Sequence, residues 1–346
     1  MFRRWRVQQS MTTRKSMFDT KDLTVIGADR VDEFLRGRET EIIDIVEDTY
    51  LTHNRGETVN PDSYFLRFPE QPQDRIIALP AHIAKEGSRS IGIKWISSFP
   101  ANVERGLQRA SAVIILNDPD SGFATALIEG SRISAARTAA SAALAVRSLH
   151  GAPSSIGVVG SGPIARAILR FIGALYPTAV PVRVHDLNPD SVARMIAESG
   201  GDHAAGTLDE VMAADVLVFA TSAGTPYVSN TKRFEPGQLV LNVSLRDLAP
   251  ETLRDTNNIF DDVEHCLKAN TTPHLLEQLD ATRDFVTGTL AQVIEGDVEL
   301  DPTRATVFSP FGLGVLDLAI SHALFEQAKI DCSGVRVTDF HGEMGR

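Results

Sequence analysis

Chemistry in this chain is carried by a glycine loop, a lysine in an apolar run, an arginine among alanines and an isolated late aspartate. Ser155 to Arg166 reads Ser-Ile-Gly-Val-Val-Gly-Ser-Gly-Pro-Ile-Ala-Arg, an apolar strand running into Gly-x-Gly-x-x-Ala and then a helix. Gly160 permits the tight turn and Gly162 lets the backbone approach a pyrophosphate. Ala165 keeps helix and strand close, and the helix start at Pro163, with Ser161 before it and Ile164 after it, offers the free amides of its non-proline residues to phosphates. Pro163 suits the first helical turn, where its missing N–H costs nothing. The following strand ends on Asp186, near the ~20-residue spacing expected of a ribose-hydroxyl acceptor. A carboxylate there accepts from the ribose and repels a 2′-phosphate, which predicts NAD.

Lys94 lies inside Ile91-Gly92-Ile93-Lys94-Trp95-Ile96. Isolated burial of charge is expensive, so it must be paired or meet an anion, unless it snorkels to water from a strand edge. Arg137 is flanked by Ala135, Ala136, Ala139 and Ala140. Among such short side chains a guanidinium can reach a carboxylate and hold it by two parallel bonds; the alternative is an ion pair on a helix surface. Asp247 follows the strand Gln238 to Ser244, and ligands of doubly wound sheets bind beyond the carboxyl ends of strands, so Asp247 is expected to face the nicotinamide. Its alternative is an N-cap for a helix beginning near Pro250. Thr221 and Ser222, after the preceding strand, lie in cofactor range. The nine histidines form no ligand pair, and the two cysteines, Cys266 and Cys332, have no metal spacing, so no metal is expected.

These groups need a frame. Val31, Phe34, Leu35, Ile42, Ile45 and Val46 have the spacing of one or two amphipathic helices. Tyr64 to Phe68, Arg75 to Pro80, Ser90 to Ser97 and Ala112 to Asn117 read as a strand-rich layer, and Ser131 to Leu149 as a small-residue helix. Beyond Pro153, strands Ile156 to Gly160, Val182 to Asp186, Val216 to Thr221, Gln238 to Ser244 and Ala305 to Ser309 interleave with helices Pro163 to Leu175 and Ser191 to Ser199. That alternation specifies an α/β fold with a parallel, doubly wound sheet. A helix over Gly314 to Lys329 has no place in it.

The chain of 346 residues carries 34 basic and 45 acidic side chains, a net charge of -11, which disfavours nucleic acid. No apolar run approaches the ~18 residues of a bilayer span, so no membrane partner is expected. Sparse cysteine fits a reducing, cytoplasmic setting. The start, Met1-Phe2-Arg3-Arg4-Trp5-Arg6 before a polar stretch, lacks the apolar core of a signal peptide, and residues 1–16 are expected to form a disordered leader.

Taken together these stretches resemble the ornithine cyclodeaminase and mu-crystallin family, from about Ser16 to Ala328. The pattern of a lysine strand, Pro-x-Asn and an Arg-Thr-Ala-Ala helix stands here as Gly92-Ile93-Lys94, Pro100-Ala101-Asn102 and Arg137-Thr138-Ala139-Ala140. The resemblance implies that Lys94, Arg137 and Asn102 bind a substrate carboxylate, with Lys94 and Asp247 in the catalytic set. It maps the closing segment to Phe308-Ser309-Pro310-Phe311-Gly312 with Asp317, and places Ser244 and Ser309 near the cofactor. It also implies a homodimer and a Rossmann-type domain, 137–312, inserted in a smaller α+β substrate-binding and dimerisation domain, 17–136 plus 313–346.

Within the family, Pro61 to Arg67, Arg75 to Ala81, Lys94 to Pro100 and Ser244 to Leu248 are similar to the 2,3-diaminopropionate biosynthesis branch. There an NAD-dependent dehydrogenase oxidises N-(2-amino-2-carboxyethyl)-L-glutamate to 2-oxoglutarate and L-2,3-diaminopropionate, for siderophores or peptide antibiotics. Arg75 would join Lys94 and Arg137 in neutralising that substrate's carboxylates. The other activities open to such a sequence are ornithine cyclodeamination, imino-acid or ketimine reduction, and nucleotide binding without turnover.

Overall fold

The computed structural model describes residues 21–85, 89–199, 201–229 and 234–343, and the leader expected over 1–16 lies outside them. Two eight-stranded sheets organise the chain. The first runs, in spatial order, Val335–Val337, Leu23–Ile26, Ala124–Glu129, Ala110–Asn117, Ser90–Ser98, Gln71–Ile83 and Thr58–Val59, with Tyr64–Phe68 also paired to Gln71–Ile83. It is antiparallel except where Leu23–Ile26 lies parallel to Ala124–Glu129. The second runs His203–Ala205, Val182–His185, Ile156–Val159, Val216–Phe219, Leu239–Asn242, Thr306–Ser309, Asn257–Phe260 and Val286–Thr289. Every pair in it is parallel, so it is the expected doubly wound sheet. The order reverses beside Ile156–Val159, and ligands of such sheets bind outside the carboxyl ends at that reversal.

Helix Gly130–Leu149 joins the sheets. It starts on Glu129, whose carboxylate accepts from the Ser131 and Arg132 amides, and its alanines allow close approach by helices Glu39–Asn54, Pro163–Leu175 and Gly314–Ile330. Its middle, Ala139 to Val146, is fully buried. Gly314–Ile330, the helix without a place in the parallel sheet, packs instead on strands Gln71–Ile83 and Ser90–Ser98. The predicted helical stretch over 31–54 is two helices, Ala28–Leu35 and Glu39–Asn54. Not anticipated were the strands Leu23–Ile26, Ala124–Glu129 and Val335–Val337 of the first sheet, nor His203–Ala205, Asn257–Phe260 and Val286–Thr289 of the second.

Candidate active site

Strand Ile156–Val159 is buried along its whole length and delivers the chain to Gly160. That residue has φ +100, and a Cβ would stand 2.5 Å from the Ala220 carbonyl oxygen, so only glycine fits the turn. Helix Pro163–Leu175 begins on Gly162 with no side-chain cap, and open space lies where a Gly162 Cβ would point. First-turn amides facing open space suit a pyrophosphate.

Asp186 follows strand Val182–His185. Its Oδ2 accepts from the Ser161 amide at 2.8 Å and hydroxyl at 2.7 Å, and its Oδ1 from the Asn188 amide at 2.9 Å. Burial pushes this carboxyl up, but those donors outweigh burial and hold it below the usual carboxylate range. A carboxylate offers about four acceptor positions, which leaves capacity for a ribose hydroxyl. The residues therefore fit an adenine dinucleotide without a 2′-phosphate.

Lys94 is 1% exposed and donates to Asp317 Oδ2 at 2.5 Å and to Ser134 Oγ at 3.3 Å. The lysine is thus paired, and does not snorkel to water. Asp317, at 0% exposure, also has Arg137 Nε 3.6 Å from its Oδ1. Neither that Nε nor that Oδ1 has a hydrogen-bond partner among the described residues. Arg137 is therefore no helix-surface ion pair; it shares a buried anion with Lys94. Burial lowers the Lys94 ammonium, Asp317 raises it and Arg137 lowers it, leaving it at about 8.

The loop closing this cluster comes from the end of the parallel sheet. Asp261 accepts from the Phe311 and Gly312 amides at 3.0 and 2.7 Å. Gly312 has φ +96, and a Cβ there would lie 2.2 Å from Arg137 Nη1. The glycine thus lets backbone sit against the guanidinium.

Asp247 is fully buried. Thr221 donates to its Oδ1 at 2.7 Å and Tyr227 to its Oδ2 at 3.0 Å, while its carbonyl accepts from the Tyr227 and Val228 amides. Two hydroxyls therefore stand over the Asp247 carboxylate. The residue is no N-cap, since the 3-10 helix Pro250–Leu253 starts on Ala249. Burial, and then the Asp247 charge, hold the Tyr227 phenol well above its usual value, so it stays protonated as a donor.

The other expected residues divide. Thr221 stands at the site, with Ser222 exposed beside it. Ser244 is buried and donates to the Phe219 carbonyl at 3.1 Å, and Ser309 accepts from Asn242 at 3.0 Å; both brace the carboxyl ends of the central strands. Asn102 donates to the Gln108 carbonyl at 3.2 Å within its own loop, and no contact joins it to Lys94. Arg75 lies on the same face of the first sheet as Lys94, since Leu79 pairs with Lys94 and Arg75 with Ser98. Tyr227 was missed in the sequence, where nothing ties it to Asp247.

Residues 25–331 match the sequence profile of the ornithine cyclodeaminase/mu-crystallin family. The chain belongs to this family. A curated relative, the N-((2S)-2-amino-2-carboxyethyl)-L-glutamate dehydrogenase of Staphylococcus aureus, is 27% identical over 303 residues, covering 83% of this chain and 90% of that protein. The crystal structure of CmnK superposes with a TM-score of 0.83 at 28% identity, covering 92% of this chain and 98% of that one. An archaeal alanine dehydrogenase dimer with bound NAD has a TM-score of 0.82 at 22% identity, covering 92% and 99%. Membership places the chain among NAD(P)-dependent dehydrogenases, reductases and cyclodeaminases of amino acids. Among the described residues no helix is long and apolar enough to cross a membrane, and no group of His, Cys, Asp or Glu could hold a metal.

Proposed function

We propose that the protein is an NAD-dependent oxidoreductase acting on the CH–NH bond of N-(2-amino-2-carboxyethyl)-L-glutamate, with 2-oxoglutarate and L-2,3-diaminopropionate as products. The observation that carries this reading is the buried Lys94, Asp317 and Arg137 cluster, which joins two cations to one anion and so keeps a net positive charge for a substrate carboxylate. On the same strand face the neighbouring positions are Leu79, Ile77 and Arg75, with no carboxylate to receive a side-chain ammonium such as that of ornithine.

NAD⁺, held at the Gly160 to Ile164 turn and Asp186, would supply the hydride acceptor for the glutamate Cα. Lys94 and Arg137 fix the adjoining carboxylate, which orients that carbon. Loss of the secondary-amine proton leaves a C=N bond, water adds to its carbon, and breaking the C–N bond releases the two products with NADH and one proton. Asp247 accepts the proton of the attacking water through the Thr221 and Tyr227 hydroxyls, each of which donates to it and can take a proton from its other side. Product chemistry of this kind serves siderophore or peptide-antibiotic assembly in the cytoplasm.

The working unit is a homodimer. Tyr64, Ala78, Trp95 and Val113 are paired in one row across four strands on the face opposite Lys94, with Tyr64 71% and Trp95 41% exposed. An apolar row of that kind is what an interface between subunits would cover.

The deciding assay supplies N-(2-amino-2-carboxyethyl)-L-glutamate with NAD⁺. NADH, 2-oxoglutarate and 2,3-diaminopropionate should appear in equal amounts, and Asp247→Asn should abolish turnover while NAD affinity changes little. Proline and ammonia formed rapidly from ornithine, or full activity in Asp247→Asn, would reject the assignment.

A further inference from the structure

A second concentration of positive charge stands on the same sheet face as Lys94. Arg67 pairs directly with Arg75 across adjacent strands, and Arg75 pairs in turn with Ser98. Arg109 donates to the Ser98 hydroxyl at 3.0 Å, which brings a third guanidinium to the same row. From the other sheet comes Arg246, next in sequence to Asp247. Its guanidinium is held by the Ala269 carbonyl at 3.1 Å, and its buried Nε has no partner. Burial lowers the Arg75 guanidinium, and repulsion from Arg109, Arg67 and Arg246 lowers it further.

None of the four has a carboxylate within ion-pair distance among the described residues, although the chain carries 45 acids. Like charges gathered without a counter-charge oppose folding, and a chain of net charge -11 could readily supply one. The cluster is therefore built for an anion that is not part of the chain. Ser98 lies four residues beyond Lys94, a separation of roughly 13 Å along a strand. An arginine side chain is long enough to span part of that separation, so the two anchors suit carboxylates at opposite ends of one substrate.

We infer that Arg67, Arg75, Arg109 and Arg246 form a second carboxylate subsite, which selects substrates bearing a further carboxylate remote from the one held at Lys94 and Arg137. This rests on the proposed function for the placement of the first carboxylate, and extends it to Arg67, Arg109 and Arg246. Bidentate guanidinium contacts suit such a group better than lysine would.

The test compares two five-carbon 2-oxo acids, 2-oxoglutarate and 2-oxopentanoate, which differ in a terminal carboxylate against a methyl. Each is titrated calorimetrically into the NADH-saturated protein. Wild type should bind 2-oxoglutarate about tenfold or more tighter, the range expected of a charged hydrogen-bonded pair. In Arg75→Gln and Arg109→Gln that preference should fall to about threefold or less, through weaker binding of the dicarboxylate. NADH affinity is measured in the same samples. A wild type that does not discriminate, a preference that persists in both variants, or variants that lose NADH affinity instead would each overturn the subsite; the last would assign the arginines to cofactor phosphate. Should N-(2-amino-2-carboxyethyl)-L-glutamate fail as a substrate while the preference for 2-oxoglutarate stands, the proposed reaction falls and the subsite does not. Melting temperature without ligand is the folding control. Relief of like-charge repulsion should leave it level or higher, and a fall in both variants would make the arginines structural.

Discussion

Replacing Asp317 by asparagine removes the one anion that Lys94 and Arg137 share, and the size of the effect can be worked out from the lysine. Its ammonium titrates at about 8 in the folded chain against 10.5 as the ordinary value. At pH 7 the charged form is therefore favoured over the neutral one by about one pH unit, on the order of 1 kcal/mol. Without Asp317 the charged form loses its partner, but Lys94 can escape by shedding its proton. The lysine's share of the loss is thus on the order of 1 kcal/mol at pH 7, and vanishes well above pH 8, where the proton is already gone. Arg137 has no such escape, and losing its neighbour at 3.6 Å adds about 1 to 3 kcal/mol at either pH. Asp317 raises the lysine value, so the pair's contribution to the difference between the two proteins is present below about 8 and lost as pH rises through it, whereas wild-type stability itself rises with pH above 8 because that value lies below the ordinary 10.5. Denaturant unfolding of wild type and Asp317→Asn at about pH 7 and pH 9.5 should show the variant's deficit shrinking by about 1 kcal/mol at the higher pH. A deficit that is equal at both, or that grows with pH, refutes the account of Lys94 as a charged partner of Asp317.

Lys94 must be charged to attract a carboxylate, so affinity of the NADH complex for 2-oxoglutarate should decline as pH rises through about 8; a flat titration profile would leave Arg137 as the sole anchor. Asp186→Ser should weaken NAD binding by about 1.5 to 3 kcal/mol and narrow its advantage over NADP, as read by calorimetry with both nucleotides. Gly312→Ala places a methyl 2.2 Å from Arg137 Nη1 at φ +96, and should cost about 1 to 3 kcal/mol of stability together with dicarboxylate affinity; unchanged melting and binding would show that the loop yields freely.

What the sequence disclosed and what it withheld divide along contact range. The dinucleotide loop was legible because strand, turn, helix and second strand are contiguous, and its glycine is fixed by a carbonyl 2.5 Å away. Strand Asn257–Phe260 was not, because asparagine has low strand propensity. Its Asn258 side chain is satisfied by the Leu253 and Phe285 carbonyls, contacts that only the fold creates. The cover over Asp247 was hidden for a like reason, since Tyr227 reaches it only through the loop after Val216–Phe219.

Lys94 shows how far such reasoning can be pushed. Its burial in an apolar run demanded an anion, and the anion lies 223 residues away. Yet Asp317 bears the same mark in reverse, standing in Gly314-Val315-Leu316-Asp317-Leu318-Ala319-Ile320, where every neighbour is apolar. Each charge alone would be too costly to bury, and together they neutralise each other. Two opposite charges stranded in apolar segments thus predict one another across any sequence distance. The arginine cluster differs in that none of its four guanidiniums has a carboxylate within ion-pair distance among the described residues, which is why its counter-charge is sought in the substrate.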